Sequence, residues 1–179
     1  MNGMALDFSA KGLENGLRLL APATLLFAMF MLSVSALPLP HIGPIKPLWL
    51  LMLVYYWSIY RPAIMPPWLC FMMGLLFDFI SGLPLGGNAA IFTLVQMIVR
   101  DQRRFLMGQP YITIWAVFSL VATLTLFSQW SLYGLVSNGF APVTPVAVSL
   151  IATIALFPLV TLLLIVVHRV LPEIQKKFP

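Results

Sequence analysis

The chain has 179 residues, of which 61% are apolar and only 8% charged, with a formal net charge of +5. A soluble domain carries about 25% charged side chains, so there is too little polar surface here to coat a globule, and a separate soluble domain is excluded. The composition describes an all-α polytopic membrane protein, one transmembrane domain over residues 1–179 with polar tails at 1–18 and 171–179.

The first apolar block, residues 19–39, follows a tail bearing Asp7, Lys11, Glu14 and Arg18. It exceeds the 7 to about 15 residues of a signal-peptide core, so it reads as a retained first span and not as a cleaved leader. Pro38, Pro40, Pro44 and Pro47 bracket the connection to block 2 (47–60), and Pro62, Pro66 and Pro67 mark the one to block 3 (66–81). Block 4 (88–99), block 5 (111–136) and block 6 (145–170) follow, with Pro110 and Pro142 at borders and Pro158 expected to kink the last helix. Crossing about 30 Å of hydrocarbon takes about 20 helical residues. Blocks 1, 5 and 6 reach that length; blocks 2, 3 and 4 fall short. Cys70 is the only cysteine, which leaves no intramolecular disulfide and no thiolate cluster for a metal.

Six spans with both termini cytoplasmic put nine of the ten Lys and Arg residues on the inner side and Lys46 alone outside, as the positive-inside rule demands. Fusing blocks 3 and 4 into one span lowers that asymmetry and requires a helix through a Gly/Pro turn. Two short crossings and a re-entrant pair satisfy the rule equally. From an inner boundary near Ala63, Asp78 lies roughly 22 Å into the membrane. The turn that follows is therefore expected to be recessed, forming the floor of an outward depression walled by spans 1, 5 and 6.

In the stretch GLLFDFISGLPLGGNAAIF (74–92), Asp78 stands among apolar residues. A carboxylate in hydrocarbon costs about 2.5–3.5 kcal/mol on insertion scales, so protein or water has to solvate it. Gly82, Gly86 and Gly87 permit positive φ or close backbone approach, Pro84 stiffens the bend, and Ser81 and Asn88 are expected to accept from free N–H groups, with Asn88 starting helix 4. Three roles stay open for Asp78: fixing the turn, binding a partner or ligand, and proton-coupled chemistry.

Gly74, the triplet Leu75 to Phe77, Asp78, Ser81-Gly82 and Leu85-Gly86 together resemble the signature of MreD, a family of bacterial rod shape-determining proteins. A second match precedes it: PLWLLMLVYYW, with Pro47, Trp49, Tyr56 and Trp57, is similar to the family's Pro/Trp opening and Tyr-Trp ending. The resemblance implies a non-catalytic scaffold of the cell-elongation complex. Its direct partner would be the bitopic protein MreC, and through it the MreB filament and the peptidoglycan synthases. It also implies a fold like the six-helix substrate-binding subunits of energy-coupling-factor transporters. Some relatives carry an acid in the fifth span, where this chain has Ser128, Gln129 and Trp130.

Arg100, Arg103 and Arg104, in VRDQRRFL, form the densest charge cluster and are expected to anchor a cytoplasmic loop at lipid headgroups or to dock a cytoplasmic partner. No module exists to read nucleic acid. His41 and His168 lie far apart at membrane edges and suggest no metal. Trp49, Tyr55, Tyr56, Trp57, Tyr60 and Trp68 read as interfacial aromatics and packing residues. Thr93 with Gln96, and Ser149 with Thr153, share helix faces and are expected to bond between helices. No phosphate loop, metalloprotease helix or serine elbow is present, so neither an enzyme nor a cofactor is expected. The rival function is a small-molecule transport component using the same outward pocket, although the paired broken helices of a transporter are represented once, not twice.

Overall fold

The computed structural model describes residues 23–35, 37–39, 43–82, 84–137 and 139–170. The expected tails, the start of span 1 and His41 lie outside them. Among the described residues six helices follow one another: α1 (Ala23–Val34), α2 (Trp49–Tyr60), α3 (Pro67–Ser81), α4 (Gly87–Met107), α5 (Tyr111–Val136) and α6 (Val143–Val170). α5 and α6 are each long and apolar enough to cross a membrane, and only 22% and 33% of their apolar windows are buried, unlike the core helices of a soluble protein. Their outward residues, among them Leu120, Leu124, Phe127, Leu159 and Leu162, are exposed and apolar, as a lipid-facing surface requires.

Span 1 was expected to run to residue 39 and the whole chain to be helical. Instead α1 stops at Val34, and Leu37–Leu39 pairs antiparallel with Gly43–Ile45, Pro38 opposite Pro44. The proline ring removes a helical donor and forces the preceding residue toward extended backbone, so a helix cannot continue through this segment.

α2 falls on block 2 but is set deeper than a span at a lipid boundary would be. It has 12 residues, about 18 Å of helix, and every side chain from Leu50 to Ile59 is buried. A helix that is apolar all round belongs in the core, and α2 is enclosed by its neighbours. Of the aromatics expected at interfaces or in packing, Tyr55, Tyr56 and Trp57 are packing residues of the core, whereas Trp68 is 67% exposed and Trp49 half-buried. Tyr55 donates to the Ile114 carbonyl at 3.0 Å and packs edge-on against Phe118 and Phe157, whose rings stack on each other at 3.9 Å. That cluster ties α2 to α5 and α6.

Burying the start of α2 strands backbone N–H groups that a helix cannot satisfy itself. Neighbouring hydroxyls accept them. Lys46 N–H donates to Ser149 Oγ at 3.2 Å, Leu48 N–H to Thr153 Oγ1 at 3.1 Å, and Leu50 N–H to Ser33 Oγ at 2.9 Å. Ser149 and Thr153 thus do bond across the bundle, but to the segment entering α2. Thr93 bonds back to the Ala89 carbonyl of its own helix, while Gln96 donates to the Met65 carbonyl. Replacing Thr153 by Val keeps its shape and leaves Leu48 N–H buried without an acceptor, an expected loss of about 1–3 kcal/mol, measurable as a lower unfolding midpoint in detergent.

α6 continues through Pro158. The proline lacks the N–H that would bond the Ile154 carbonyl four residues back, and the Trp115 indole of α5 donates to that carbonyl at 3.0 Å instead. Helix 4 departs furthest from expectation. It runs 21 residues, not the 12 of block 4, because nothing stops it at the first charge; Gly108 and Pro110 end it. Arg100, Arg103 and Arg104 therefore lie on its last turns and not in a loop. Met65, at the α2–α3 connection, is level with Gln96, so α4 extends about 16 Å further.

Candidate functional site

α3 and α4 form the most closely packed pair of helices, and Gly74 is where they touch. A Cβ added there would lie 2.5 Å from Ala89 Cα and 2.6 Å from Ala89 N, closer than carbon atoms can approach. With no side chain at 74, the first turn of α4 lies directly on α3. One helical turn beyond, on the same face, is Asp78.

The Asp78 side chain is fully buried and its solvation is complete within the chain. Oδ2 accepts from Gly86 N–H at 3.0 Å and from Asn88 N–H at 3.1 Å. Oδ1 accepts from the Asn88 side-chain amide at 2.6 Å, with a longer contact of 3.3 Å to Asn88 N–H. The donors belong to the opening of α4, where unpaired N–H groups and the positive end of the helix dipole favour an anion. Asn88 in turn accepts at Oδ1 from Gln129 Nε2 of α5. Asp78, Asn88 and Gln129 so link α3, α4 and α5 through three polar side chains.

The turn that makes this possible follows the Gly pattern in part. Gly82 ends α3 at φ 65° with its N–H on the Asp78 carbonyl, and Gly86 stands at φ 93° immediately before α4. Gly87 does not need positive φ; it is the first residue of α4. Asn88 was expected to accept from free N–H groups and instead donates twice to Asp78. Ser81 was expected to be an acceptor too, and its buried hydroxyl has no partner among the described residues. Pro84 is half-buried at the bend and accepts from Gly87 N–H at 3.2 Å, whereas Leu85 is 68% exposed.

The turn is recessed relative to α5. Asn88 is level with Gln129, seven residues before the end of α5 at Val136, or about 10 Å. A cavity of about 270 Å³ does open beside it, walled as expected by α1, α5 and α6 through residues such as Ser33, Tyr133, Val146 and Ser149. Its floor differs from the expectation. Leu50, Leu51, Phe77 and Phe92 form it, and neither Asp78 nor any described residue of the 81–86 turn lines it. The reason is the carboxylate's own hydrogen bonding, which turns Asp78 toward α4 and away from the void. Gln129 reaches both: it lines the cavity and holds Asn88.

Of the remaining sequence candidates, Pro47 lines the cavity and Trp49 stands at the start of α2, whereas Tyr56 and Trp57 pack in the core away from it. Arg100 and Arg104 are exposed one turn apart on α4, with Arg103 half-buried between them. Cys70 is buried, and among the described residues no three His, Cys, Asp or Glu side chains cluster to hold a metal. Gln129 and Lys46 were not singled out as site residues from the sequence. A signal for Gln129 was there: an amide in an apolar span needs a partner just as an acid does, and Asp78, Asn88 and Gln129 are three such groups.

Comparison with known families gives a match to the family described as rod shape-determining protein MreD over residues 15–167, which spans the turn, the cavity and both sequence motifs. No curated protein and no solved structure matches the chain.

Proposed function

The chain belongs to the rod shape-determining protein MreD family, and from that premise we propose that it is a non-catalytic scaffold of the bacterial cell-elongation complex, binding MreC directly. Membership sets the broad role, rod shape determination at the membrane. The finer reading has the chain crossing the inner membrane six times with both termini cytoplasmic, in an arrangement like the substrate-binding subunits of energy-coupling-factor transporters. MreB and the peptidoglycan synthases join through MreC. In this orientation the 82–86 turn and the cavity face the periplasm, and the basic end of α4 meets the cytoplasmic headgroups or a cytoplasmic partner.

The observation that carries the scaffold reading is the state of Asp78. Both of its oxygens are held by donors of its own chain, so the acid fixes helices and offers no free group for turnover. Leu85 is the motif residue left over: large, apolar and 68% exposed on a turn shaped by Gly82 and Gly86 at positive φ. A side chain that contributes nothing to its own core at that position suits a partner surface.

MreC should co-purify stoichiometrically with the chain from solubilised membranes. Leu85→Glu should lower that yield at least tenfold with the unfolding midpoint unchanged, because the side chain is outside the core. Unchanged co-purification would remove the turn from the interface. The cavity favours a second reading, a small-molecule transport component; saturable binding of a vitamin-like solute by the isolated chain, with no MreC recovered, would establish that one instead.

A further inference from the structure

We propose that the cavity between α2, α5 and α6 is a binding site for one anionic phospholipid, its acyl chain in the apolar interior and its phosphate on Lys46 and Tyr133. The void of about 270 Å³ is lined mostly by apolar side chains. An enclosed apolar cavity of roughly 150 Å³ takes up hydrocarbon in other proteins, and the predominantly apolar lining of this open one suits an acyl chain.

The polar lining selects the headgroup. Most of it is already engaged: Ser149 and Ser33 accept backbone N–H groups, and the Trp130 indole donates to the Ala141 carbonyl. Gln129 spends its amide on Asn88 and leaves its Oε1 as an acceptor, and the two donor groups left without partners among the described residues are the Lys46 ammonium and the Tyr133 hydroxyl. Lys46 is exposed and is the one cation of the described residues at this end of the bundle; Arg61, Arg100, Arg103 and Arg104 stand at the other. A cation and a hydroxyl donor at the lip of an apolar void match an anionic oxygen with a hydrocarbon tail.

The route of entry points to the bilayer as the source. A second cavity of about 300 Å³, lined by Phe127, Ala147 and Leu150 among others, opens on the outer face of α5 and α6. It shares Leu126, Trp130 and Val146 with the first as a common wall. Phe127 beside it is 63% exposed on the apolar surface. A molecule already in the membrane can slide its chain between these helices, which a soluble anion has no means to do.

The test is native mass spectrometry of the delipidated full-length protein in detergent, titrated with phosphatidylglycerol and with phosphatidylcholine of the same chains. One phosphatidylglycerol should bind in preference to phosphatidylcholine. Lys46→Gln should weaken phosphatidylglycerol about fivefold, the worth of one basic residue at an anionic headgroup, and leave phosphatidylcholine unchanged; Lys46→Arg should restore the preference. Val146→Trp, checked for an unaltered unfolding midpoint, should reduce binding of both lipids by filling the wall. The proposal is overturned if Lys46→Gln retains the full preference, if the preference disappears instead when Arg100, Arg103 and Arg104 are changed to Gln, if Val146→Trp binds as the parent does, or if glycerol phosphate displaces the lipid. It is equally overturned if an acidic peptide of a partner, and not lipid, occupies the site.

Discussion

Asp78→Ala is expected to destabilise the protein by about 3–5 kcal/mol, seen as a large drop in the thermal midpoint in detergent and a fall in the amount accumulating in membranes. The substitution removes every acceptor from Gly86 N–H, Asn88 N–H and the Asn88 side-chain amide at once. Hydrogen bonds to a charged group contribute about 1.5–3 kcal/mol each, and a buried donor left unpaired costs about 1–3 kcal/mol. Interhelical polar contacts in membranes average only about 0.6 kcal/mol, because side chains find other partners in the unfolded state. That smaller figure does not govern here, since two of the donors are backbone groups at a helix start, where the helix itself supplies no acceptor. Asp78→Asn retains one oxygen but points an NH₂ at N–H donors, and should fall between parent and Ala. Gln129→Leu breaks only the outer link and should cost about 1 kcal/mol. A double-mutant cycle of Asp78→Ala with Asn88→Ala should show strong coupling, because the second change removes the side-chain amide that the first has orphaned. Additivity of the two would contradict the relay.

Gly74→Leu is expected to abolish accumulation of folded protein. Overpacking costs about 1–3 kcal/mol where a flexible side chain can yield, but the atoms facing Gly74 are the Ala89 Cα and N and the carbonyl carbon of Asn88. Backbone in the first turn of α4 cannot step aside without carrying Gly86 and Asn88 off Asp78. Even Gly74→Ala should lose about 3 kcal/mol, the upper end of that range. Because packing and hydrogen bonding fail together, the Ala variant should also weaken the coupling between Asp78 and Asn88. A Gly74→Ala protein with an unchanged midpoint would show that the helices are free to part.

Much of the architecture was legible because apolar block length and proline position are direct physical constraints. α5 runs over the residues of block 5, and α3 begins with Pro67 at its first turn, where a missing N–H costs nothing. The hairpin at Leu37–Leu39 and Gly43–Ile45 was hidden by hydropathy, which does not distinguish an apolar helix from an apolar strand. Apolar block length ends block 4 at Val99, but a helix does not end where hydropathy does: arginine is a good helix former and the next true breaker is Gly108. Asp78 announced its need for a partner through its type and surroundings. The partner's identity depended on how closely Gly74 allows two helices to approach, a distance no sequence pattern states. The cavity floor was out of reach for a related reason: it is assembled from α2, α3 and α4 residues brought together only by the enclosure of α2.

That enclosure bears on how the protein is made. α2 is too short to cross a bilayer unaided, and its opening N–H groups rest on a hydroxyl of α1 and, through Leu48, on one of α6, more than a hundred residues downstream. As the nascent chain emerges, the second helix has no finished environment until the last one has been synthesised and has moved laterally to cover it. Chains stopped before residue 143 should therefore expose a half-sealed hydrophobic peg, an obvious mark for membrane proteases, so that release of the mature protein is coupled to completion of translation.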